Sequence, residues 1–269
     1  MTNRLRCGIL YYNMRILFVR KNANFVMAEN PEYSVMEDAM WNGKKKAVTF
    51  SYDDGVTQDK RFIEILNRFG LKATFNLNSA LLGREGSLIR NGVTVNHTKI
   101  KPEDVRAVYD GHEVAAHTLT HPALCSLPDE EVIRQAEEDR EALSALCGYE
   151  VIGMAYPGGG VNHDARVERL IREKTGIRYA RTTDANGSFA LQKDFFAFAP
   201  TVYHLETDKM FALGEEFLMA DTGEQQLFYI WGHSYEFDAW DFWEKFEDFC
   251  RMISGHDDIF YGTNREVLL

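Results

Sequence analysis

The amino-acid sequence predicts a parallel α/β fold with strands enough for a barrel, and three observations carry that expectation. Short runs of β-branched and aromatic residues alternate with segments of helical period along most of the chain. Glycine and proline punctuate the junctions, and no internal repeat or low-complexity stretch interrupts the pattern. The distinctive polar residues stand at the C-terminal ends of predicted strands, where a (β/α) barrel gathers its loops on one face.

The first strand is the β-branched and aromatic run Val48-Thr49-Phe50, which continues into Ser51-Tyr52-Asp53-Asp54-Gly55. A helix follows, with Phe62, Ile65, Leu66 and Phe69 recurring at i, i+3, i+4 and i+7, and Gly70 stops it. Lys72 to Leu77 reads as the second strand, and loop sequence is expected from there to Asn96. A short helix is predicted from Pro102 to Tyr109, with proline in its first turn and Gly111 beyond its end. Glu113 to Ala116, the third strand, runs directly into His117-Thr118-Leu119-Thr120-His121.

Asp129 to Leu146 reads as a helix with Val132, Ile133, Ala136, Leu143 and Leu146 on one face, a solvated acidic outer face, and Gly148 as terminator. The fourth strand, Val151 to Tyr156, ends at Pro157-Gly158-Gly159-Gly160. Asn162 is expected to cap a helix that carries Val167, Leu170 and Ile171 and stops at Gly176. Further strands are predicted at Arg178 to Thr182 and Leu227 to Trp231, with an irregular stretch around Phe195 to Phe198 and a helix from Lys209 to Met219 between them. A single helix is expected from Ala239 to Ile253, its Phe242, Trp243, Phe246, Phe249 and Cys250 forming a core-facing stripe, and Ile259 to Gly262 is the last strand.

Composition narrows the function. The chain of 269 residues can bury a sizeable core, and its net charge of -11 would repel a phosphate backbone, so nucleic acid is not an expected partner. No stretch is long and apolar enough to span a bilayer. Cys7, Cys125, Cys147 and Cys250 are scattered, without a Cys-x-x-Cys pair, and read as reduced thiols. Near the N-terminus, Arg15, Arg20 and Lys21 interrupt what would be the apolar core of a signal peptide, which leads to an expectation of cytoplasmic localisation. Residues 1–45 are expected to form a partly disordered extension and residues 46–269 the catalytic domain.

Two adjacent carboxylates repel unless a cation or a proton sits between them, so Asp53 and Asp54 fit a metal or acid-base role. An Asp-Asp-Gly turn at a strand end is the plainer reading. His117 and His121 are four residues apart, a spacing that brings two imidazoles to one side, and Asp54 would complete an N, N, O donor set with positions left open. His233 follows the apolar strand and a glycine in Ile230-Trp231-Gly232-His233, where a hydrogen-bonded strand-end histidine is the ordinary reading. His112, His163 and His204 lack a comparable setting.

Ser51-Tyr52-Asp53-Asp54-Gly55, His117-Thr118-Leu119-Thr120-His121, Tyr156-Pro157-Gly158-Gly159 and His233 together resemble, in order and separation, the motifs of the polysaccharide deacetylase family, also called NodB-homology or carbohydrate esterase family 4. The resemblance spans about Lys46 to Gly262. It implies a distorted (β/α) barrel and metal-dependent removal of an acetyl group, usually N-acetyl from an aminosugar. By that likeness Asp54, His117 and His121 are metal ligands, Asp53 the catalytic base, His233 the catalytic acid, and Tyr156 and Gly158 part of the oxyanion turn. The ligand set suits zinc first, with cobalt or manganese as alternatives.

Three departures accompany the likeness. The family's arginine two residues before the proline of the third motif is Ala155 here, and Arg181 is the candidate substitute. The fourth motif's usual tryptophan is not evident near Asp184. The leucine two residues before the last histidine, which lines the acetyl pocket, is replaced by Trp231, a bulkier wall that reshapes the pocket. The expected activity is therefore deacetylation of a carbohydrate. Hydrolysis of another non-peptide carbon-nitrogen bond, such as a small cyclic amide, or of an O-acetyl ester stands beside it, and so does a non-catalytic carbohydrate-binding role.

Overall fold

The computed structural model describes residues 20, 21, 24, 25, 40–221 and 223–269. They divide after Gly43 into two units, each described by itself. In the first, Arg20–Lys21 pairs antiparallel with Asn24–Phe25. The readings made for Cys7 and for most of residues 1–45 lie outside the described residues.

The second unit is built on β1 (Lys46–Asp53), which is parallel to three other strands. Along one edge it pairs from Lys46 to Tyr52 with β9 (Gln226–Gly232). Its first three residues also pair with β10 (Ile259–Tyr261), and from Phe50 onward it pairs with β2 (Ala73–Leu77). The sheet continues through β5 (Glu113–Ala116), β6 (Gly153–Ala155) and β7 (Tyr179–Arg181), all parallel. On the other side β8 (Val202–Tyr203) pairs with β9. The irregular stretch anticipated around Phe195 to Phe198 closes the circle: Phe198 bridges to Arg181, and Thr201, just beyond it, donates its N–H to the Tyr229 carbonyl. This is the distorted α/β barrel that the alternation of elements predicts.

Parallel pairing puts all the strand ends on one face, and the period of two sorts the side chains. From β1, Val48, Phe50 and Tyr52 enter the apolar core with Phe75, Val114, Met154, Phe228 and Ile230. That layer is covered by α1 (Asp59–Arg68), α3 (Asp129–Cys147), α4 (Ala165–Lys174), α5 (Thr207–Met219) and α7 (Trp243–Ile253). Phe62, for example, stacks on Phe246 at 5.0 Å. The aromatic stripe Phe242, Trp243, Phe246, Phe249 and Cys250 is buried in this core. The intervening residues carry a buried polar network instead. Thr49 and Ser51 bond to Asn264, Thr74 bonds to Glu113, and Asn76 bonds to Ser51 and Asp53. Gly153 makes room in this layer, since a Cβ there would lie 2.1 Å from the Tyr179 ring.

Four elements differ from the sequence reading. The stretch before Asn96 holds a hairpin, β3 (Ser87–Arg90) with β4 (Val93–Asn96), turned by Asn91-Gly92 at φ 51° and 71°. Asn-Gly suits that two-residue turn because both of its residues need positive φ. Asn162 does not cap α4; Asp164 does, accepting from the Val167 N–H at 2.8 Å. The helix expected from Ala239 to Ile253 is broken at Asp241, φ 49°, into α6 (Glu236–Trp240) and α7. A terminal helix, α8 (Asn264–Leu268), starts from a Thr263 capping box that reading the sequence missed. The short helical segment predicted near Pro102 is present as a 3-10 turn leading into α2 (Val105–Val108).

Candidate active site

Asp53 ends β1, and Asp54 follows it in a left-handed conformation, φ 83°, that turns its carboxylate away from the strand. Its N–H is held by the Asn76 carbonyl at 3.0 Å. His117 follows β5, with its N–H shared between the Leu77 carbonyl at 2.8 Å and the Asp139 carboxylate at 3.0 Å. Asn78 clamps the carbonyls of His117 and Thr118. Thr118 and His121 also have positive φ, 67° and 60°. Three non-glycine residues in this strained region within one site mark a loop geometry imposed by its surroundings.

Asp54, His117 and His121 each offer a ligand atom, and these atoms lie within 4.8 Å of one another. The chemistry of the set fits a divalent ion. His117 Nδ1 lies 2.8 Å from the Ala155 carbonyl, which can only accept, so the proton is on Nδ1 and the Nε2 lone pair is left for a metal. Burial pulls this imidazole down to about 4, which keeps it neutral. Burial pushes the Asp54 carboxyl up, but the His97 hydrogen bond, Lys99 and the nearby histidines together hold it well below the usual range. The hairpin stem supplies those two partners: His97 Nε2 stands 3.2 Å from Asp54 Oδ2 and Lys99 Nζ 3.3 Å from Oδ1.

Asp53 is 2% exposed and meets a buried cation. Arg181 Nη2 donates to both of its oxygens, Nε lies 3.2 Å from Ser51 Oγ, and Asn76 donates to Oδ1 at 2.8 Å. Ala155 and Arg181 are direct register partners on β6 and β7, so a guanidinium carried one strand over stands beside the position that Ala155 leaves empty. Arg181 is fully buried, which excludes the surface salt bridge that was its plainer reading. It does not line the cavity, so its part is to hold Asp53 rather than to face substrate.

Across the site, His233 Nδ1 lies 3.0 Å from Glu236 Oε2. The same oxygen is 2.9 Å from His204 Nε2, Tyr203 donates its hydroxyl to Oε1, and His204 Nδ1 meets the Tyr52 hydroxyl at 2.9 Å. Burial pulls the His233 imidazole down, yet Glu236, Asp54 and Asp53 lift it to about 9. Trp231 lies between Arg181, 4.7 Å from its ring, and Tyr203, stacked at 4.6 Å.

Asp53, Asp54, His117, His121, Gly158, Trp231 and His233 all line one cavity of about 210 Å³. Gly158 stands exposed at φ 84°, and among the described residues no hydrogen bond uses its N–H. Tyr156 is the exception. Its side chain is fully buried away from the cavity, where its hydroxyl donates to the Phe196 carbonyl and its ring stacks on His163 at 5.0 Å. Tyr156 therefore supports the glycine turn rather than the substrate.

The sequence reading missed His97, Lys99, Glu236, His204 and Asp139. The His233-x-x-Glu236 spacing was a signal, because i and i+3 are neighbours at a helix start. Asp139 falls in register with Ala136 and Leu143 on the apolar face of α3, where it is buried and bonds the backbone N–H groups of Ser79 and His117.

A model of the polysaccharide deacetylase family matches residues 41–180. The chain belongs to that family. Over 152 residues, 54% of the chain, it is 23% identical to the peptidoglycan-N-acetylmuramic acid deacetylase PdaC of Bacillus subtilis (strain 168), of whose length it spans 29%. The fold matches a T48 deacetylase with substrate at TM-score 0.53 and 16% identity, over 83% of this chain and 90% of the other. It also matches a family 4 carbohydrate esterase from Streptomyces lividans in complex with acetate, at TM-score 0.52 and 16% identity, over 81% and 93%. In a member of this family, β1, β5, β6 and β9 would deliver the family's motifs to one cavity, which is where the site lies.

Proposed function

We propose that the protein is a divalent-metal-dependent hydrolase that removes N-acetyl groups from a carbohydrate. The observation that carries this reading is the single cavity in which the Asp54, His117 and His121 donor set stands beside Asp53 and His233. Asp54, His117 and His121 would hold the metal, zinc before cobalt or manganese for an N, N, O set. A divalent ion bound there would acidify water and polarise the acyl carbonyl. Asp53, kept ionised by Arg181, takes the proton of the attacking water. His233, protonated at neutral pH, gives a proton to the leaving nitrogen, without which an amine is a poor leaving group. By the family likeness the Gly158 N–H, which lines the cavity, would donate to the developing oxyanion.

A second reading, an O-acetyl ester or another non-peptide carbon-nitrogen bond, is favoured by Trp231, whose bulk stands where the family's smaller leucine lines the acyl pocket. Acetate release from N-acetylated oligosaccharides, peptidoglycan fragments and O-acetylated sugars, with zinc supplied or chelated, separates the two. Release from the N-acetyl substrates is expected, abolished by chelation and reduced about 10²- to 10⁴-fold in Asp53→Asn. Release from O-acetyl sugars alone would move the assignment to the ester. No release from any substrate would remove the deacetylase reading.

A further inference from the structure

Beside the catalytic cavity lies a second recess of about 470 Å³, bordered by the β3–β4 hairpin and its stem. The two share Asp54, His121, Arg90 and Tyr235 as wall, so a ligand with its acyl group at Asp53 and His233 extends naturally from one into the other. The recess is basic in a chain whose net charge is -11. Arg84, Arg90 and Lys99 line it, with His97 beside them, against Glu85 and Asp54. Asp54 is already engaged by Lys99 and His97, and in the reading above it also holds a divalent cation.

The arginines are not used to hold the fold. Among the described residues neither Arg84 nor Arg90 is in an ion pair with a carboxylate, although seven other arginines are. Arg90 makes a long hydrogen bond to its neighbour's carbonyl, Ile89 O at 3.3 Å, shares a side-chain hydrogen bond with Tyr235 and rests 5.9 Å over that ring. An exposed guanidinium steadied by a tyrosine, at the seam of two cavities, has five donors, more than these two contacts use. The hairpin itself is well anchored, by Lys99 N–H to Arg84 O at 2.9 Å, His97 N–H to Gly86 O at 2.8 Å and Ile100 N–H to Gly55 O at 2.9 Å. The backbone that carries Arg84 and Arg90 is thereby anchored beside Asp54.

We infer that this recess is an anion subsite, and that the preferred substrate is an acylated aminosugar carrying a carboxylate, which Arg90 receives with Arg84 behind it. The inference rests on the deacetylase reading for the acyl half of the substrate, but the recognition of charge is independent of turnover. A planar carboxylate matches an arginine fork in a way that neutral hydroxyls do not, and the positive recess would also speed capture of an anionic ligand.

The test compares N-acetylmuramic acid, whose lactyl ether carries a carboxylate, with N-acetylglucosamine, which lacks that group, on the zinc-loaded full chain. Calorimetric binding to Asp53→Asn is measured beside acetate release by the wild type. The acid is expected to bind about tenfold or more tighter at low salt, with the preference shrinking as salt rises. Arg90→Gln should cut the ratio of kcat/KM for the acid over the neutral sugar about tenfold, Arg84→Gln less, and Arg90→Lys should keep part of it. Equal binding of the two sugars, or a ratio unmoved in Arg90→Gln, would overturn the subsite while leaving deacetylation standing. Tighter binding of the acid without acetate release from either sugar would support the subsite and sink the deacetylase reading instead.

Discussion

The two walls of the candidate active-site cavity are held by different balances of backbone and side-chain contacts. On the wall made by the ends of β1, β2 and β5, backbone groups fix the chain, with Asp54 N–H on Asn76 O, His117 N–H on Leu77 O and His117 Nδ1 on Ala155 O, and the Lys99, His97 and Asp139 side chains join them. On the wall made by β7, β8, β9 and α6, charged side chains do it, Arg181 against Asp53 and Glu236 against His233 and His204. Backbone contacts fix position and are indifferent to pH over the ordinary range. Side-chain charges fix position and protonation state together, so the second wall is where one substitution should alter both stability and the acid-base chemistry.

Arg181 gives the largest effect. In Arg181→Met the Asp53 carboxylate would stay buried without its cation, and breaking such a pair costs about 3–5 kcal/mol. Activity should fall by about 10², because the base loses its orientation along with its charge partner. Denaturant melts and acetate release check both. Ala155→Arg placed in the Arg181→Ala background puts the guanidinium on the neighbouring strand at the same register, and partial recovery of activity is expected. A stable, fully active Arg181→Met would show that Asp53 needs no counter-charge.

The same contrast explains what could be read from the sequence. Elements with strong local signals were legible: β1, β2, β5 and α3 agree with the expected spans to within a residue or two. Asp53, Asp54, His117 and His233 stood out because strand ends carry them at the spacings the chemistry needs. Among the supporting charges, Arg181 was named as the substitute for the arginine that Ala155 replaces, although it lies 128 residues from Asp53, whereas Lys99 and Glu236 were passed over because only the folded loops bring them to Asp54 and His233. His204 was passed over for the same reason, since its partners come from β1 and α6. The β3–β4 hairpin was missed although Asn91-Gly92 announced it, because Ser87 to Arg90 sets Leu88 beside Ile89 without alternation and the alternating Val93-Thr94-Val95-Asn96 is only four residues long.

Glu236 gives the next effect, and it is one of pH. With His233 lifted to about 9, the alkaline limb of kcat/KM should fall near that value. Glu236→Gln removes the charge that does most of the lifting, and burial then pulls the imidazole back toward or below its ordinary value of about 6.5. The limb should move acid by more than one pH unit, with activity at pH 8 down about 10-fold or more. Stability should carry the same mark. The His233 contribution is fully present below its unfolded value of about 6.5 and lost as pH rises through about 9. Glu236, held low, contributes above its unfolded value of about 4.5 and loses that contribution as pH falls toward its depressed folded value. Thermal melts of the wild type should therefore weaken between pH 7 and 10 more than those of Glu236→Gln. An unmoved alkaline limb would mean that a different group supplies the proton.

Trp231 gives the smallest effect on rate and the most informative one on substrate. Its ring shields the Arg181 guanidinium at 4.7 Å, but its Nε1 is buried without a hydrogen-bond partner. Trp231→Leu therefore loses packing and a cation-π contact while it also removes an unsatisfied donor, two terms of opposite sign and of about 1 kcal/mol each or somewhat more. Stability should change modestly, and the cavity of about 210 Å³ should widen on the side away from the metal ligands. A several-fold gain in acetate release from N-acetyl sugars relative to O-acetyl sugars is expected, because a wider acyl pocket relaxes the constraint that favours the alternative substrate. An unchanged ratio between the two substrate classes would place the choice of acyl group elsewhere in the cavity, with Arg90, Thr183 and Tyr235 as the next walls to change.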